Sequence, residues 1–238
     1  MRKIFSFLNL TVSTLFLATV ALLVAPFDGK GERIHGIARL WASIQLWVSG
    51  IAVRLEAAEN LPEPPFLLMS NHQSALDISV LLAAVPVSFK FIAKRELFHI
   101  PFFGWAIRRA GYISIDRENP REALKAIEEA VRKIKEGTPV LIFPEGTRGT
   151  KGSKGRSVGL QPFMKGAFSL ASRASVPVVP LAIIGTYELQ PTGSILSPPE
   201  RKGQVFVRVG KPIPVKGKGV SYKTGLMEEV REAMKGLM

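Results

Sequence analysis

The sequence predicts an α/β protein in which a mostly parallel or mixed sheet is covered by helices and is preceded by an N-terminal hairpin of two membrane-associated helices. Short apolar runs alternate with helical patterns along residues 66–237. An uncharged apolar stretch at residues 4–27 lies ahead of this alternation. Between the two, the Pro-rich segment 61–65 can continue neither a helix nor a central strand. We therefore predict a two-helix anchor at residues 1–57 and an α/β domain at residues 58–238.

The composition narrows the class of partner. The 238-residue chain has a formal net charge of +13 and no cysteine. Without cysteine, disulfides, thiolate metal sites and a cysteine nucleophile are excluded. The positive charge suits an anionic partner, which could be nucleic acid, an anionic lipid surface or a phosphorylated substrate. Because the sequence has neither a recognition-helix pattern nor an interleaved aromatic RNA motif, we expect no nucleic-acid partner.

The two anchor helices are predicted from hydropathy and spacing. Residues 4–27 carry no charge and match the length of ~20 residues that crosses a bilayer. No convincing cleavage site follows them, which favours an anchor over a signal peptide. Residues 33–55 form a second, basic amphipathic pattern that contains Trp41 and Trp47, typical of the headgroup boundary. We expect a hairpin in one leaflet or at its surface, with a transmembrane first helix or a second helix in the domain core as alternatives.

The elements of the α/β domain follow from periodicity and from Gly and Pro punctuation. The helix at residues 120–136 carries its apolar residues on one face and its charges opposite. The stretch at residues 149–159 is rich in Gly, Lys and Ser and is predicted to be a mobile loop. Strands are predicted at residues 66–70, 88–93, 112–115, 139–143, 178–184 and 205–209, and further helices at 76–84, 166–175 and 222–237.

A histidine and a carboxylate five positions apart follow the first of these strands. If His72 lies in the strand-to-helix turn and Asp77 in the first turns of the helix, the carboxylate can bond one ring nitrogen. That bond would fix the tautomer, as in a serine-protease triad without its serine, and leave the other nitrogen to accept a proton from a substrate hydroxyl. The alternative is a turn histidine beside a helix-capping acid. His35 and His99 have no acid placed in this way and are predicted to be non-catalytic.

The second candidate group lies at the end of the strand predicted at residues 139–143. Open α/β sheets bind ligands at the carboxyl ends of their strands, so Glu145 and Arg148 can face a site together. Gly146 allows backbone N–H groups to approach an anion closely. Backbone N–H groups near Gly146, or at the start of the helix after His72, are candidates for an oxyanion hole. The alternative is an ordinary strand-ending turn with a surface salt bridge.

Cations at two further strand ends complete the candidate site. Arg117 and Arg148 could form a bidentate phosphate clamp, with Lys94 as an added point charge. The alternative is a basic surface that faces a membrane, and this is the preferred interpretation for Arg95.

Taken in this order and spacing, the segments resemble the four motif blocks of the glycerolipid acyltransferase family, most of all its bacterial 1-acyl-sn-glycerol-3-phosphate acyltransferases. The resemblance covers roughly residues 60–190. It implies the fold of that family for the α/β domain. The blocks correspond to residues 71–77, 111–117 with the lead-in 94–104, 143–148 and 176–183, and the linking stretch 159–168 is also of the family's type.

The resemblance implies transfer of a fatty acyl group from an acyl thioester to the 2-hydroxyl of lysophosphatidic acid, giving phosphatidic acid in phospholipid biosynthesis. It makes His72 the general base and Asp77 its orienting acid. The residues it implies for binding the phosphorylated acceptor are Lys94, Arg117, Glu145, Gly146, Thr147 and Arg148. The alternatives are the same chemistry on glycerol 3-phosphate or another lysophospholipid, and a non-catalytic lipid-binding protein of the same fold.

The implied partners follow from that chemistry. We expect no metal and no cofactor, with acyl carrier protein or coenzyme A thioesters as co-substrate. The acceptor and an anionic phospholipid surface are the expected lipid partners, and no pattern indicates an oligomeric state. The expected location is the cell membrane, with the catalytic domain on its cytoplasmic face.

Overall fold

The computed structural model describes residues 2–148, 159–191, 199, 201–215 and 222–238, with the backbone alone for residues 2–4. Apart from Gly159, the loop predicted at residues 149–159 lies outside this part of the chain. The helices are α1 (Arg2–Val24), α2 (Glu32–Ser49), α3 (Leu76–Ala84), α4 (Phe103–Arg109), α5 (Pro120–Lys135), α6 (Lys165–Ala174), α7 (Thr186–Leu189) and α8 (Lys223–Leu237). The strands are β1 (Ile51–Glu56), β2 (Leu67–Ser70), β3 (Lys90–Lys94), β4 (Ile113–Ile115), β5 (Val140–Ile142), β6 (Val178–Ile184) and β7 (Gly203–Val209).

The strands form one mixed sheet in the order β1-β7-β6-β2-β5-β3-β4. Strand β2 pairs in parallel with β5 and β6, and β3 pairs in parallel with β5 and β4. Strand β7 runs antiparallel to β6 and parallel to β1, so two strands at one edge are reversed. This architecture confirms the predicted fold class.

Apolar side chains fill both faces of the sheet, and β2 shows how the sequence achieves this. Side chains of a strand alternate between faces, so Phe66 and Leu68 enter one core and Leu67 and Met69 enter the other. All four are fully buried. The first core takes in residues of α1 to α4, and the second takes in residues of α5, α6 and α8. Burial on both faces explains why the central strands read as continuous apolar runs.

The second predicted helix is too long at its C-terminal end. Helix α2 ends at Ser49, and residues 51–55, predicted as helix, belong to β1. Gly50 adopts the left-handed conformation, with φ 69°, which ends the helix as a glycine cap. Strand β1 is hydrogen-bonded to β7 and therefore belongs to the sheet. The division of the chain between residues 57 and 58 stays a prediction.

The first two helices pack against each other as the predicted hairpin. Gln45 of α2 bonds Asn9 and Ser13 of α1 at 3.1 and 2.7 Å, and the indole N–H of Trp41 donates to Thr14 at 2.9 Å. Little of α1 is buried, and its segment Phe5–Phe27 is long and apolar enough to cross a membrane by length and composition. The polar bonds hold the two helices together while their apolar outer surfaces stay exposed.

A buried lysine joins the turn of this hairpin to the sheet. Lys90, at the start of β3, donates from Nζ to the carbonyl oxygen of Gly31 at 3.0 Å. Burial lowers the pKa of Lys90 to about 8, with Lys133 adding to the effect. His35 of α2 is also buried, and its Nδ1 lies 3.2 Å from the hydroxyl of Tyr112. These contacts give His35 a packing role away from the candidate site.

Candidate active site

Four segments that carry predicted site residues lie at one edge of the sheet. Strands β2, β5, β3 and β4 are adjacent and parallel, so their carboxyl ends point the same way. His72 follows β2, Glu145 follows β5, Lys94 ends β3, and Arg117 follows β4. The fold therefore places the predicted catalytic pair beside the segments predicted to bind the acceptor, at the edge where open α/β sheets bind ligands.

The predicted hydrogen bond between His72 and Asp77 is present. His72 Nδ1 lies 2.8 Å from Asp77 Oδ2, and the carboxylate is fully buried in the first turn of α3. The same Oδ2 accepts from the backbone N–H groups of Gln73 at 2.7 Å and Ser74 at 2.9 Å. A carboxylate oxygen surrounded by donors requires the proton on Nδ1, which leaves the lone pair on Nε2.

The imidazole ring of His72 is held by stacking on its face in addition to the hydrogen bond at Nδ1. The ring of Phe143, at the end of β5, stacks on His72 with centroids 4.0 Å apart and planes 15° apart. The side chain of His72 keeps 14% of its surface exposed, in contrast to the buried Asp77. A fixed ring with one protected and one accessible nitrogen has the geometry of a general base.

Buried polar contacts hold the backbone around His72. The side chain of Asn71 accepts from Ile183 N at 2.7 Å and donates to Ile183 O at 2.9 Å, tying the end of β2 to β6. The hydroxyl of Ser74 donates to the carbonyl of Gln190 at 2.7 Å, just past α7. The roles of these two side chains were not predicted from the sequence. An asparagine directly after a buried strand was the available signal for the first of them.

Both carboxylate oxygens of Glu145 bind the protein's own backbone. Oε1 accepts from His72 N at 2.7 Å and Oε2 accepts from Gln161 N at 2.8 Å. The residue is 4% exposed, and this burial raises the pKa of its carboxyl to about 7, although the two N–H groups act in the opposite direction. Binding of the acceptor by Glu145 stays a prediction. In the observed geometry, the Glu145 carboxylate forms a bracket: it joins the loop at His72 to the loop at Gln161 through one hydrogen bond to each.

Gly146 is required by the turn that follows Glu145. Its φ is +71°, and a Cβ at this position would overlap Sδ of Met164. The next two side chains point differently, since Thr147 is exposed and Arg148 is half-buried. Acceptor binding by Gly146, Thr147 and Arg148 stays a prediction.

Several N–H groups expected to form the oxyanion hole already have acceptors within the protein. Gly146 N donates to Phe143 O at 3.0 Å. At the start of α3, Leu76 N donates to the hydroxyl of Ser74 and Asp77 N to the carbonyl oxygen of Ser74. The preceding N–H groups of Gln73 and Ser74 donate to the Asp77 carboxylate. These N–H groups stabilise the loops around His72 and Glu145, so in this conformation they are not available to an oxyanion.

The predicted cations lie at or after the ends of three different strands of the sheet. Arg148 follows β5, next to β2, whereas β4 and Arg117 lie three strands from β2, or ~14 Å at the usual strand spacing. Lys94 is exposed and pairs with Glu96 at 2.9 Å. Burial lowers the pKa of the Arg117 guanidinium, and the negative charge of Glu96 partly offsets this effect. The phosphate clamp of Arg117, Arg148 and Lys94 stays a prediction.

Arg95, predicted to be part of a basic surface, pairs with Asp116 at 2.9 Å. In the described residues, no group of three or more histidine and carboxylate side chains lies close enough to hold a metal ion.

Comparison with known proteins assigns the chain to a family. A family model described as Acyltransferase matches residues 52–184, more than half of the chain. The chain belongs to the acyltransferase family. The match contains all four motif segments, from Asn71 to Ile183, and confirms the resemblance inferred from them.

Curated relatives in the acyltransferase family carry one activity in their names. The chain is 38% identical over 222 residues to 1-acyl-sn-glycerol-3-phosphate acyltransferase LPAT1, chloroplastic, of Arabidopsis thaliana, which covers 90% of this chain and 59% of that protein. It is 34% identical over 186 residues to the 1-acyl-sn-glycerol-3-phosphate acyltransferase of Pseudomonas aeruginosa, which covers 76% of this chain and 70% of that protein. The chain thus spans only about three fifths of the length of the Arabidopsis relative.

The likeness extends to a solved structure of the acyltransferase family. The crystal structure of the 1-acyl-sn-glycerophosphate (LPA) acyltransferase PlsC from Thermotoga maritima superposes with a TM-score of 0.79 and 29% sequence identity. The match covers 99% of this chain and 95% of that one. The shared fold therefore includes the N-terminal helices as well as the sheet.

Proposed function

We propose that this acyltransferase moves a fatty acyl group from an acyl thioester to the 2-hydroxyl of 1-acyl-sn-glycerol-3-phosphate, giving phosphatidic acid. The observation that carries the proposal is the 2.8 Å bond between His72 Nδ1 and the buried Asp77, which leaves Nε2 as the free base. The names of the Arabidopsis and Pseudomonas relatives support the same acceptor.

The reaction needs one proton to move twice. Nε2 of His72 accepts the proton of the acceptor hydroxyl, and the oxygen attacks the thioester carbonyl. Asp77 stabilises the imidazolium that forms, as the acid of a serine-protease triad does. The new oxygen–acyl bond forms and the carbon–sulfur bond breaks. The leaving thiolate then accepts the proton from Nε2. The substrate supplies its own nucleophilic hydroxyl, so no serine or cysteine of the enzyme is required.

The acceptor is held by charge and by its acyl chain. In this proposal Arg148, Arg117 and Lys94 attract the phosphate monoester, supported by the net charge of +13. Helix α1 exposes large apolar side chains such as Phe16 and Leu23. This apolar surface supports an acceptor that carries an acyl chain and resides in a membrane. Glycerol 3-phosphate or another lysophospholipid is the second candidate acceptor, because the motif blocks alone are shared by enzymes with different acceptors.

The donor and the location complete the proposal. The donor is a thioester of acyl carrier protein or coenzyme A, and no metal or further cofactor takes part. The exposed apolar surface of α1, with Trp47 of α2 81% exposed, supports insertion of the hairpin into one leaflet of the cell membrane. The catalytic domain then lies on the cytoplasmic face, where the thioester donors are made.

A matched pair of histidine variants tests this function. The full chain in mixed micelles is offered lysophosphatidic acid or glycerol 3-phosphate, each with carrier-protein and coenzyme A thioesters. Loss of the base lowers turnover by ~10²–10⁴-fold, so His72→Ala is expected to lose activity in this range. His99→Ala, at an exposed histidine, serves as the control and is expected to stay active.

Three outcomes would contradict the proposal. A loss of ~10²–10⁴-fold is expected for His72→Ala. Activity within about threefold of the wild type would contradict the assignment of His72 as the general base. Failure of the wild type to acylate either acceptor would remove the enzyme activity and leave a lipid-binding protein. Acylation of glycerol 3-phosphate alone would replace the proposed acceptor.

A further inference from the structure

The C-terminal helix α8 contacts the loop that precedes α6. Arg231 of α8 donates from Nη1 to the carbonyl oxygen of Gln161 and from Nη2 to that of Leu160, both at 2.9 Å. Its guanidinium also lies 5.2 Å from the ring centre of Phe163. A rigid, planar fork that binds two successive carbonyl groups fixes the orientation of the peptide groups themselves.

One of these peptide groups also contacts Glu145. The peptide unit between Leu160 and Gln161 accepts from Arg231 at its oxygen and donates from its N–H to Glu145 Oε2 at 2.8 Å. Because a peptide unit is planar, turning the carbonyl towards Arg231 also sets the direction of the N–H. A hydrogen bond to the oxygen also polarises the unit and strengthens its donation.

The chain of contacts ends at the catalytic histidine. The second oxygen of Glu145 accepts from the backbone N–H of His72 at 2.7 Å. A further bond, from Met164 N to Pro144 O at 2.7 Å, holds the same two loops together. Four groups are thus joined in series from α8 to the carboxyl end of β2: the guanidinium, the peptide, the carboxylate and the backbone of His72.

We propose that Arg231 is a positioning residue for His72 and acts through the Leu160–Gln161 peptide and Glu145. The proposal rests on the proposed function, because it assigns Arg231 to the placement of the general base. Arg231 touches neither substrate nor the reacting atoms; it orients the acceptors and donors that fix the histidine backbone.

Electrostatics act in the same direction as the geometry. The positive charge of Arg231 lowers the pKa of Glu145, against burial, its main cause of increase, and against the negative charge of Asp77. The ionised carboxylate can accept from two N–H groups, whereas the protonated carboxyl presents one O–H donor to them. Arg231 therefore favours the form of Glu145 that binds both loops.

A second arginine on the sheet provides the matched control. Arg208 of β7 donates from Nη1 to the carbonyl oxygen of Leu237 at 2.9 Å and pairs with Glu56 at 2.7 Å. Like Arg231 it is half-buried and binds a main-chain carbonyl, yet in the part of the chain that the structure describes it forms no hydrogen bond or ion pair with Glu145 or with residues 160–161. Arg208→Met therefore removes an arginine contact that involves α8, but it leaves intact the contacts from Arg231 through Glu145 to His72.

The first measurement is steady-state kinetics of the full chain. Because a displacement of about 1 Å can cost ~10²-fold in rate, we expect Arg231→Met to lower kcat by ~10–100-fold while KM stays within about threefold. Arg231→Lys, which keeps the charge but loses the fork, is expected to fall between. Arg208→Met is expected to retain wild-type kcat. An equal loss of kcat in Arg231→Met and Arg208→Met would overturn the proposal.

The second measurement is a double-mutant cycle. In a Glu145→Gln background the series is already broken, so adding Arg231→Met is expected to lower kcat by less than about threefold. Effects that multiply in the double variant would show that Arg231 acts independently of Glu145, and would overturn the proposal.

The third measurement does not depend on activity. Hydrogen exchange of the His72 and Gln161 amides is followed by NMR in the full chain, with Arg231→Lys as the milder variant should Arg231→Met fail to fold. Faster exchange of both amides in the Arg231 variants, and wild-type exchange in Arg208→Met, is the expected result. Unchanged exchange at His72 would overturn the positioning role even if acylation itself were absent.

Discussion

At the scale of single residues, one carboxylate oxygen of Asp77 orients the predicted general base, His72. Asp77 Oδ2 accepts from the ring of His72 and from two backbone N–H groups, those of Gln73 and Ser74. The carboxylate therefore shapes the loop and orients the ring with the same atom. A substitution here affects the tautomer of His72 before it affects the fold, because the backbone donors still find an oxygen in an amide.

Asp77→Asn tests this view. An amide offers one accepting oxygen and no negative charge, so the imidazolium loses its stabilising partner and the histidine can adopt the wrong tautomer. By analogy with the serine-protease acid, we expect kcat to fall by ~10³–10⁴-fold with little change in the unfolding midpoint. Turnover and thermal unfolding of the same sample check this. A small loss of activity at unchanged stability would contradict the role of Asp77.

Glu145 gives a pH dependence of stability. Burial raises its folded-state pKa from 4.5 to about 7, so between these values the folded state binds more protons than the unfolded chain. Stability from this group is therefore greatest below pH 4.5 and falls as the pH rises to about 7, by up to ~1.4 kcal/mol per pH unit. Urea unfolding of the wild type and Glu145→Gln across this range is expected to show a steeper fall in the wild type. Parallel curves would contradict the raised pKa.

The sequence allowed prediction of the His72–Asp77 bond because both residues lie in one turn and their spacing is local. The bracket formed by Glu145 was not predictable in the same way. Its partners, Gln161 N and the charge of Arg231, lie 16 and 86 positions away in the chain. No local pattern marks such contacts, and they emerge only when the sheet and α8 are assembled.

At the scale of elements, the turn after β5 is set by steric contact. Gly146 has φ +71°, and its missing Cβ leaves the space that Met164 fills. Gly146→Ala is expected to destabilise the protein through overlap with Met164 and through left-handed strain of ~1–2 kcal/mol. Adding Met164→Ala is expected to relieve the overlap and leave the strain. Denaturant unfolding of both variants measures this, and no gain from the second substitution would contradict it.

The contact between the hairpin turn and β3 gives a second prediction at this scale. Lys90 has its pKa lowered to about 8 in the folded protein, against 10.5 ordinarily, so the unfolded chain binds more protons between these values. Wild-type stability is therefore expected to rise with pH from about 8 to 10.5, and Lys90→Met is expected to lack this rise. Urea unfolding at several alkaline pH values measures both. The same slope in the two proteins would contradict a buried, ionised Lys90.

The elements also show where local patterns mislead. Helical spacing continues across residues 33–55, yet the alternation of apolar residues with Ala52, Arg54 and Glu56 fits a strand equally well. Gly50 and pairing with β7 decide between the two. The central strands were predictable because burial on both faces leaves continuous apolar runs, whereas an edge strand depends on a partner far along the chain.

At the scale of the whole molecule, the protein has two different faces. The hairpin and α4 lie on one side of the sheet, with exposed Trp47, Phe102 and Trp105, and α5 lies on the other. Trp47→Glu is expected to weaken binding to anionic vesicles by ~10-fold or more, because burying a large apolar side chain contributes ~1.5–3 kcal/mol. Leu124→Glu, at an exposed leucine of α5, is the control and is expected to bind as the wild type does. Vesicle co-sedimentation measures both, and equal losses would contradict a membrane-facing hairpin.

The strand order has a consequence for the order of synthesis. Strand β1 directly follows the hairpin, but its partner is β7, and Glu56 pairs with Arg208 across 152 positions. While the chain is translated, β1 has left the ribosome long before residues 203–209 exist. The nascent hairpin therefore emerges with an unpaired strand beside it. Closure of the sheet at the β1–β7 edge is therefore expected to be a late event in the synthesis of the protein.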